Sequence, residues 1–120
     1  MKPVTVHTLE TSTPQEVFDT IALHLLRQNK KSKLDRRYCA YLSPDGLQCA
    51  AGCLIPAKDY RLSFEKKRWF VLPFSTAHSD LISQLQMVHD EDDPSNWPKR
   101  LMAVAAAHEL STKVILKYQP

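Results

Sequence analysis

The sequence contains very little glycine: only Gly46 and Gly52 among 120 residues. Most sharp turns must therefore be made by its eight prolines and by Asn, Asp and Ser residues. Long apolar runs are absent too, which excludes a membrane-spanning helix of roughly 20 residues. No apolar segment of the signal-peptide kind follows Met1, so we expect a cytoplasmic protein without a membrane partner.

A strong excess of one charge is also missing. Sixteen Lys and Arg residues against 13 Asp and Glu residues give a net charge of +3, which is less than a dedicated nucleic-acid binder usually carries. The length and the 43% hydrophobic content fit a single domain, residues 1–120, that can bury a core. Three cysteines, an odd number in a chain expected to be intracellular, are predicted to be reduced.

Three segments have the apolar spacing of amphipathic helices. The first is introduced by Thr13, which can form a capping box with Glu16, and it should end near Asn29. The second contains Leu81 and Leu85, and the third is rich in alanine. The expected N-caps are Thr13 for the first helix, Ser79 or Asp80 for the second, and Ser95 or Asn96 for the third.

Between the first two helices, residues 38–56 hold every cysteine and both glycines. Ser43-Pro44-Asp45-Gly46 is typical of a hairpin turn with the glycine in the left-handed position, and a short helix over residues 49–54 should end at Pro56. The pattern also indicates an extended arm over residues 1–12 and a closing strand over residues 112–118. We therefore predict an α+β fold, with three main helices packed on a small antiparallel hairpin or sheet.

The cysteine-rich stretch admits three interpretations. A zinc site needs about four ligands, and the cysteines with one histidine would supply them, although no Cys-x-x-Cys pair is present. A nucleophilic cysteine would need a histidine and an acid brought close in space. Buried structural thiols are the third interpretation, and the one we favour because reduced cysteine is often buried. The candidate chemical site comprises Cys39, Cys49, Cys53, His89 and Asp90.

A basic segment joins the first helix to the hairpin. It has six basic residues and one acid between residues 27 and 37. Such a segment is a solvated helix end, a contact for an acidic protein, or a contact for nucleic-acid phosphates. The candidate interaction face comprises Arg27, Lys30, Lys31, Lys33, Arg36 and Arg37.

Parts of the chain resemble a group of small phage and prophage proteins. The resemblance rests on Cys39-Ala40-Tyr41, on the run from Asp45 to Pro56, on Leu85 to Asp90 and on Trp97, and it spans residues 17–110. The function of that group is undefined, so it implies no catalytic residue. It implies a viral or mobile-element origin and a host-cytoplasm setting, with any specialised role in residues 30–37, in residues 61–74 or in the tail after Leu110.

Taken together, these observations predict a protein that is not an enzyme and needs no cofactor. We expect it to bind a macromolecule, most simply a host or phage protein, in the manner of a host-takeover or anti-defence inhibitor. Two alternatives stay open. One is a cysteine- or metal-dependent enzyme centred on Cys49, Cys53 and His89, and the other is a nucleic-acid-binding protein that uses residues 30–37.

Overall fold

Four α-helices make the frame of the protein, which is described here by a computed structural model covering residues 3–118. The central helix α1 packs against the other three. Its buried residues share one face and join a single continuous core that also takes in Trp97, Leu85 and Leu101. The helices are α1 (Pro14–Gln28), α2 (Ser79–Glu91), α3 (Trp97–Ala107) and α4 (Lys113–Tyr118).

The start of α1 confirms the predicted capping box. The Thr13 hydroxyl accepts the Glu16 N–H at 3.1 Å, and the Glu16 carboxylate accepts the Thr13 N–H at 2.8 Å. The predicted cap of α2 was wrong, since its N-cap is His78, in the left-handed region at φ 62°. Asn96, one of the two residues predicted for α3, does occupy its N-cap position, but the Asn96 side chain makes no capping hydrogen bond.

The predicted α+β fold was wrong, because residues 3–118 contain no sheet. The hairpin region makes only two isolated antiparallel bridges, Lys33 with Cys39 and Leu42 with Gln48. The turn itself forms with Gly46 at φ 85°, and the Ser43 N–H reaches the Leu47 carbonyl at 2.8 Å.

Side chains explain why the hairpin does not extend into a ladder. The N–H groups of Tyr41 and Leu42 donate to the two oxygens of Glu65, at 2.9 and 3.2 Å. The N–H of Gln48 donates to the side-chain oxygen of Gln28 at 3.0 Å. These backbone donors are satisfied without a partner strand, so no strand pairing is needed to bury them.

Both ends of the described chain differ from expectation. Residues 112–118 do not form a closing strand: Lys113–Tyr118 is the helix α4, which buries Ile115. Residues 3–12 are not an extended arm, since Val4 and Val6 are buried and the Val6 N–H donates to the Leu54 carbonyl at 2.8 Å. Residues 1 and 2 of the predicted arm lie outside the described residues.

The cysteine-rich stretch packs tightly beneath the helices. A Cβ atom on Gly52 would lie 2.1 Å from the carbonyl oxygen of Tyr41, so only glycine fits there. Instead of the predicted helix over residues 49–54, a 3-10 turn spans Gly52–Leu54, and Ala50, Ala51 and Leu54 are fully buried. None of the described helices has the length and apolar character that crossing a bilayer requires.

Candidate functional site: a basic cleft

A cleft of about 560 Å³ opens between two loops and one face of α2. The 33–40 loop forms one wall and the 65–71 loop forms the opposite wall. On α2 the lining residues are Ser83, Gln86, Met87 and Asp90. Their spacing of three, four and seven residues places them on one face of the helix, so the cleft has a rigid side and two loop sides.

Hydrogen bonds at its base hold the 33–40 loop in place. The Ser32 hydroxyl lies 2.7 Å from the Ala40 carbonyl oxygen and 2.9 Å from that of Leu47. At the tip, Asp35 accepts the N–H groups of Arg37 and Tyr38 at 2.8 and 3.1 Å, and these two bonds lower the pKa of its carboxyl. The tip is therefore an ordered turn with Arg37 fixed on the wall.

The 65–71 loop is fastened to the same region of the chain. Glu65 holds the Tyr41 and Leu42 N–H groups as described above, and it also accepts the Tyr60 hydroxyl at 2.6 Å. The Tyr41 hydroxyl donates to the Lys67 carbonyl oxygen at 2.5 Å. These bonds use the Glu65 carboxylate and the Lys67 carbonyl, and the basic side chains of residues 66–68 are exposed.

The cleft is lined by five basic residues and a single acid, Asp90. All five cations are exposed, and among residues 3–118 none of them lies within 4.0 Å of a carboxylate oxygen. Asp35 is near enough to interact electrostatically with Lys66 and Lys33, but cations that outnumber the acids and form no close ion pair still create a positive potential that attracts an anionic ligand. The five are Lys33, Arg37, Lys66, Lys67 and Arg68.

Aromatic rings also line the cleft, but most of these rings already pack against other side chains. The Lys66 ammonium lies 4.5 Å from the ring centre of Tyr38, a cation–π contact that joins the two walls. Trp69 is buried and packs against Tyr41 and Phe74, with ring centres 6.4 and 5.8 Å away. Phe70, 58% exposed, is the most accessible aromatic ring of the lining.

At the base of the cleft, Cys39, His89 and Asp90 come together. One ligand-type atom from each lies within 4.8 Å of the others. His89 is fully buried and stacks on Trp97, with ring centres 5.5 Å apart. Three of the five predicted chemical residues are thus neighbours, and they have the composition of a metal site or a catalytic triad.

Hydrogen bonds determine which nitrogen of His89 carries the ring proton. The backbone N–H of Ser32 donates to Nε2 of His89 at 2.9 Å, so Nε2 carries no proton. The ring proton is therefore on Nδ1, which lies 2.8 Å from Asp90 Oδ1 and donates to it. Neither nitrogen has a free lone pair for a metal ion or for a proton from Cys39.

The thiols are also held in their protonated form. Burial, together with the charge of Asp90 and the hydrogen bond to it, raises the pKa of Cys39 to about 11. Burial raises the pKa of Cys53 to about 12 and that of Cys49 still higher. Burial also opposes ionisation of Asp90, but hydrogen bonds from His89, Gln86 and Cys39 lower its pKa overall. The geometry is that of a structural network.

The other predicted chemical residues lie apart from this cluster or serve the packing. Cys49 is buried, and its sulfur accepts the Gly52 N–H at 3.3 Å. The Cys53 thiol donates to the Ala50 carbonyl at 3.0 Å and faces a second, open depression beside His24.

Residues of the predicted interaction face have different positions. Lys33 and Arg37 line the cleft. Lys31 reaches the Asp90 carbonyl oxygen at the end of α2, at 3.1 Å, and Arg27 lies over the ring of Tyr118. Lys30 and Arg36 are exposed and do not line the cleft.

Sequence reasoning left residues 59–77 without a structure, and with them the second wall of the cleft. The signal was the run Lys66-Lys67-Arg68-Trp69-Phe70, in which three cations directly precede two aromatic residues. It has no helical or strand period, and the structure explains why: it forms a loop with a 3-10 turn over Trp69–Val71. The spatial pairing with residues 33 and 37 could be found only from the fold.

Comparison with known proteins adds no relative: no protein-family model, curated protein or solved structure matches this chain.

Proposed function

We propose that this protein is a non-catalytic binding protein whose basic cleft captures an acidic segment of a partner protein. The observation that carries the proposal is the charge of the lining, five cations to one carboxylate, with none of the five in an ion pair among the described residues. Charge complementarity of this kind provides specificity and a fast rate of association.

A protein ligand is favoured over single-stranded nucleic acid by the state of the aromatic rings. Binders of single strands stack successive bases on free aromatic faces along a charged groove. Here Lys66 lies over the ring of Tyr38 and Trp69 is buried, so Phe70 is the one lining ring of the described residues that is more than half exposed. One exposed ring does not make a series of stacking faces for successive bases. The cleft therefore suits a short acidic segment.

Non-catalytic binding is favoured by the cluster at the base of the cleft. A cysteine enzyme would need a thiolate and a free imidazole nitrogen, whereas Cys39 is held protonated and both nitrogens of His89 are engaged. The resemblance to phage proteins makes a host protein the partner class that we propose.

Binding of dye-labelled peptides, followed by fluorescence anisotropy at physiological salt, tests this function. A peptide rich in Asp and Glu should bind, and the same peptide with Lys in place of those acidic residues should not. Absence of binding by every acidic peptide would refute the proposed function.

A further inference from the structure

We infer that the segment captured by the cleft carries one large apolar side chain among its carboxylates. This inference rests on the proposed function and specifies the partner further. The cleft lining contains exposed apolar side chains as well as cations, and a purely acidic ligand would leave those apolar side chains without a partner.

Two large apolar side chains of the cleft lining are exposed to solvent. Phe70 is 58% exposed and Met87 is 47% exposed, although both line the cleft. Met87 lies on the cleft face of α2, between Ser83 and Asp90. A flexible thioether and an aromatic ring lining the same cleft offer adaptable apolar surface to a ligand, and exposed apolar side chains within a cleft are typical of a binding site.

The position of Asp90 supports the same arrangement. Its lowered pKa keeps the carboxyl ionised at neutral pH, and it lies on the α2 side of the cleft near Met87. A ligand carboxylate placed there would be repelled, while carboxylates beside Lys67 and Arg68 would be attracted. An apolar side chain of the ligand therefore fits against Phe70 and Met87, and the ligand's carboxylates fit beside the cations.

The test compares two labelled peptides that differ at one position. Both are short and rich in Asp and Glu, and one has a central phenylalanine where the other has serine. We expect the phenylalanine peptide to bind about tenfold more tightly, the gain typical of burying one large apolar side chain. An oligothymidylate of similar charge serves as the nucleic-acid probe.

Variants of the protein locate the effect. The double variant Phe70→Ser with Met87→Gln should bind both peptides equally. Leu116→Ser is the matched control, because Leu116 is also 58% exposed but lies on α4, away from the cleft. It should keep the tenfold preference. Thermal unfolding of each variant verifies that all of them are folded.

The outcomes separate the two proposals. Equal binding of the two peptides to the unchanged protein would overturn the apolar anchor and leave the acidic-segment function standing. Loss of the preference in the Leu116 control would also overturn the anchor site. Binding of neither peptide would overturn the proposed function itself, and tighter binding of the oligothymidylate would overturn both in favour of a nucleic-acid ligand.

Discussion

The backbone N–H of Ser32 donates to Nε2 of His89 across 2.9 Å, joining the base of the 33–40 loop to the end of α2. Both residues are fully buried. The bond fixes the proton on Nδ1 of the ring, and it positions the loop whose Lys33 and Arg37 line the cleft. This one contact occupies the Nε2 lone pair of the imidazole and holds the loop that forms a wall of the cleft.

His89→Phe should destabilise the protein by about 1–3 kcal/mol. Phenylalanine can keep the stacking on Trp97 but leaves the buried Ser32 N–H without an acceptor, and an unsatisfied buried donor costs about 1–3 kcal/mol. Urea unfolding measures the loss. His108→Phe is the control, expected within about 0.5 kcal/mol of the parent protein because His108 is only half-buried.

The tautomer itself can be observed by the ¹⁵N chemical shifts of the His89 ring, which should show a protonated Nδ1. Stoichiometric zinc binding that disappears in Cys39→Ser would contradict this assignment, since a metal on Nδ1 requires the opposite tautomer.

Alkylation of the thiols should be slow at neutral pH and accelerate only as the pH approaches about 11, the value to which the pKa of Cys39 is raised. The sign follows from the thiol: a raised pKa means less of the reactive thiolate at any lower pH. Iodoacetamide labelling with mass spectrometry should show Cys39 reacting before the buried Cys49.

Asp90→Asn gives this prediction a direct control. The substitution removes the negative charge that helps to raise the pKa of Cys39, and it replaces a charged hydrogen-bond acceptor by the weaker amide oxygen. Alkylation of Cys39 should therefore accelerate at pH 8. Unchanged or slower labelling in this variant would show that Asp90 does not control the thiol.

Gly52→Ala should be the more damaging of the two glycine substitutions. Its Cβ would lie 2.1 Å from a backbone oxygen of Tyr41, so the cost should reach or exceed the upper end of the roughly 1–3 kcal/mol typical of overpacking. Gly46→Ala has open space around it and suffers only from φ 85°, at about 1–2 kcal/mol. Calorimetric unfolding that reverses this order would refute the packing role of Gly52.

Local signals in the sequence were sufficient for α1, α2 and α3, but not for α4, which was predicted as a strand, nor for the hairpin. The Thr13–Glu16 capping box and the apolar stripe after it depend on neighbours within one turn, so α1 was predicted correctly. The prediction of a hairpin ladder was wrong because the N–H donors of this region are satisfied by Glu65 and Gln28, which are about 20 residues away along the chain. The spacing of apolar residues in the sequence gives no information about such distant side-chain partners.

Individual residues of the candidate site were predicted from the sequence, but their spatial arrangement was not. Cys39, His89 and Asp90 were named together, but the bond from Ser32 that determines their chemistry has no sequence signature. The basic residues of 33–37 were recognised, whereas their pairing with residues 66–68 depends on the docking of the second loop by Glu65. Tertiary contacts of this kind decide whether a basic segment is a solvated face or a wall of a site.

Charge reversal in the cleft tests the central claim most directly. Lys67→Glu with Arg68→Glu changes the net charge by the same amount as Lys113→Glu with Lys117→Glu on α4, and the Lys67 carbonyl that holds Tyr41 is untouched. The account predicts that acidic-peptide binding, measured by anisotropy at physiological salt, weakens about tenfold in the cleft pair and less than about twofold in the α4 pair. Equal weakening in both pairs, or none in the cleft pair, would contradict it.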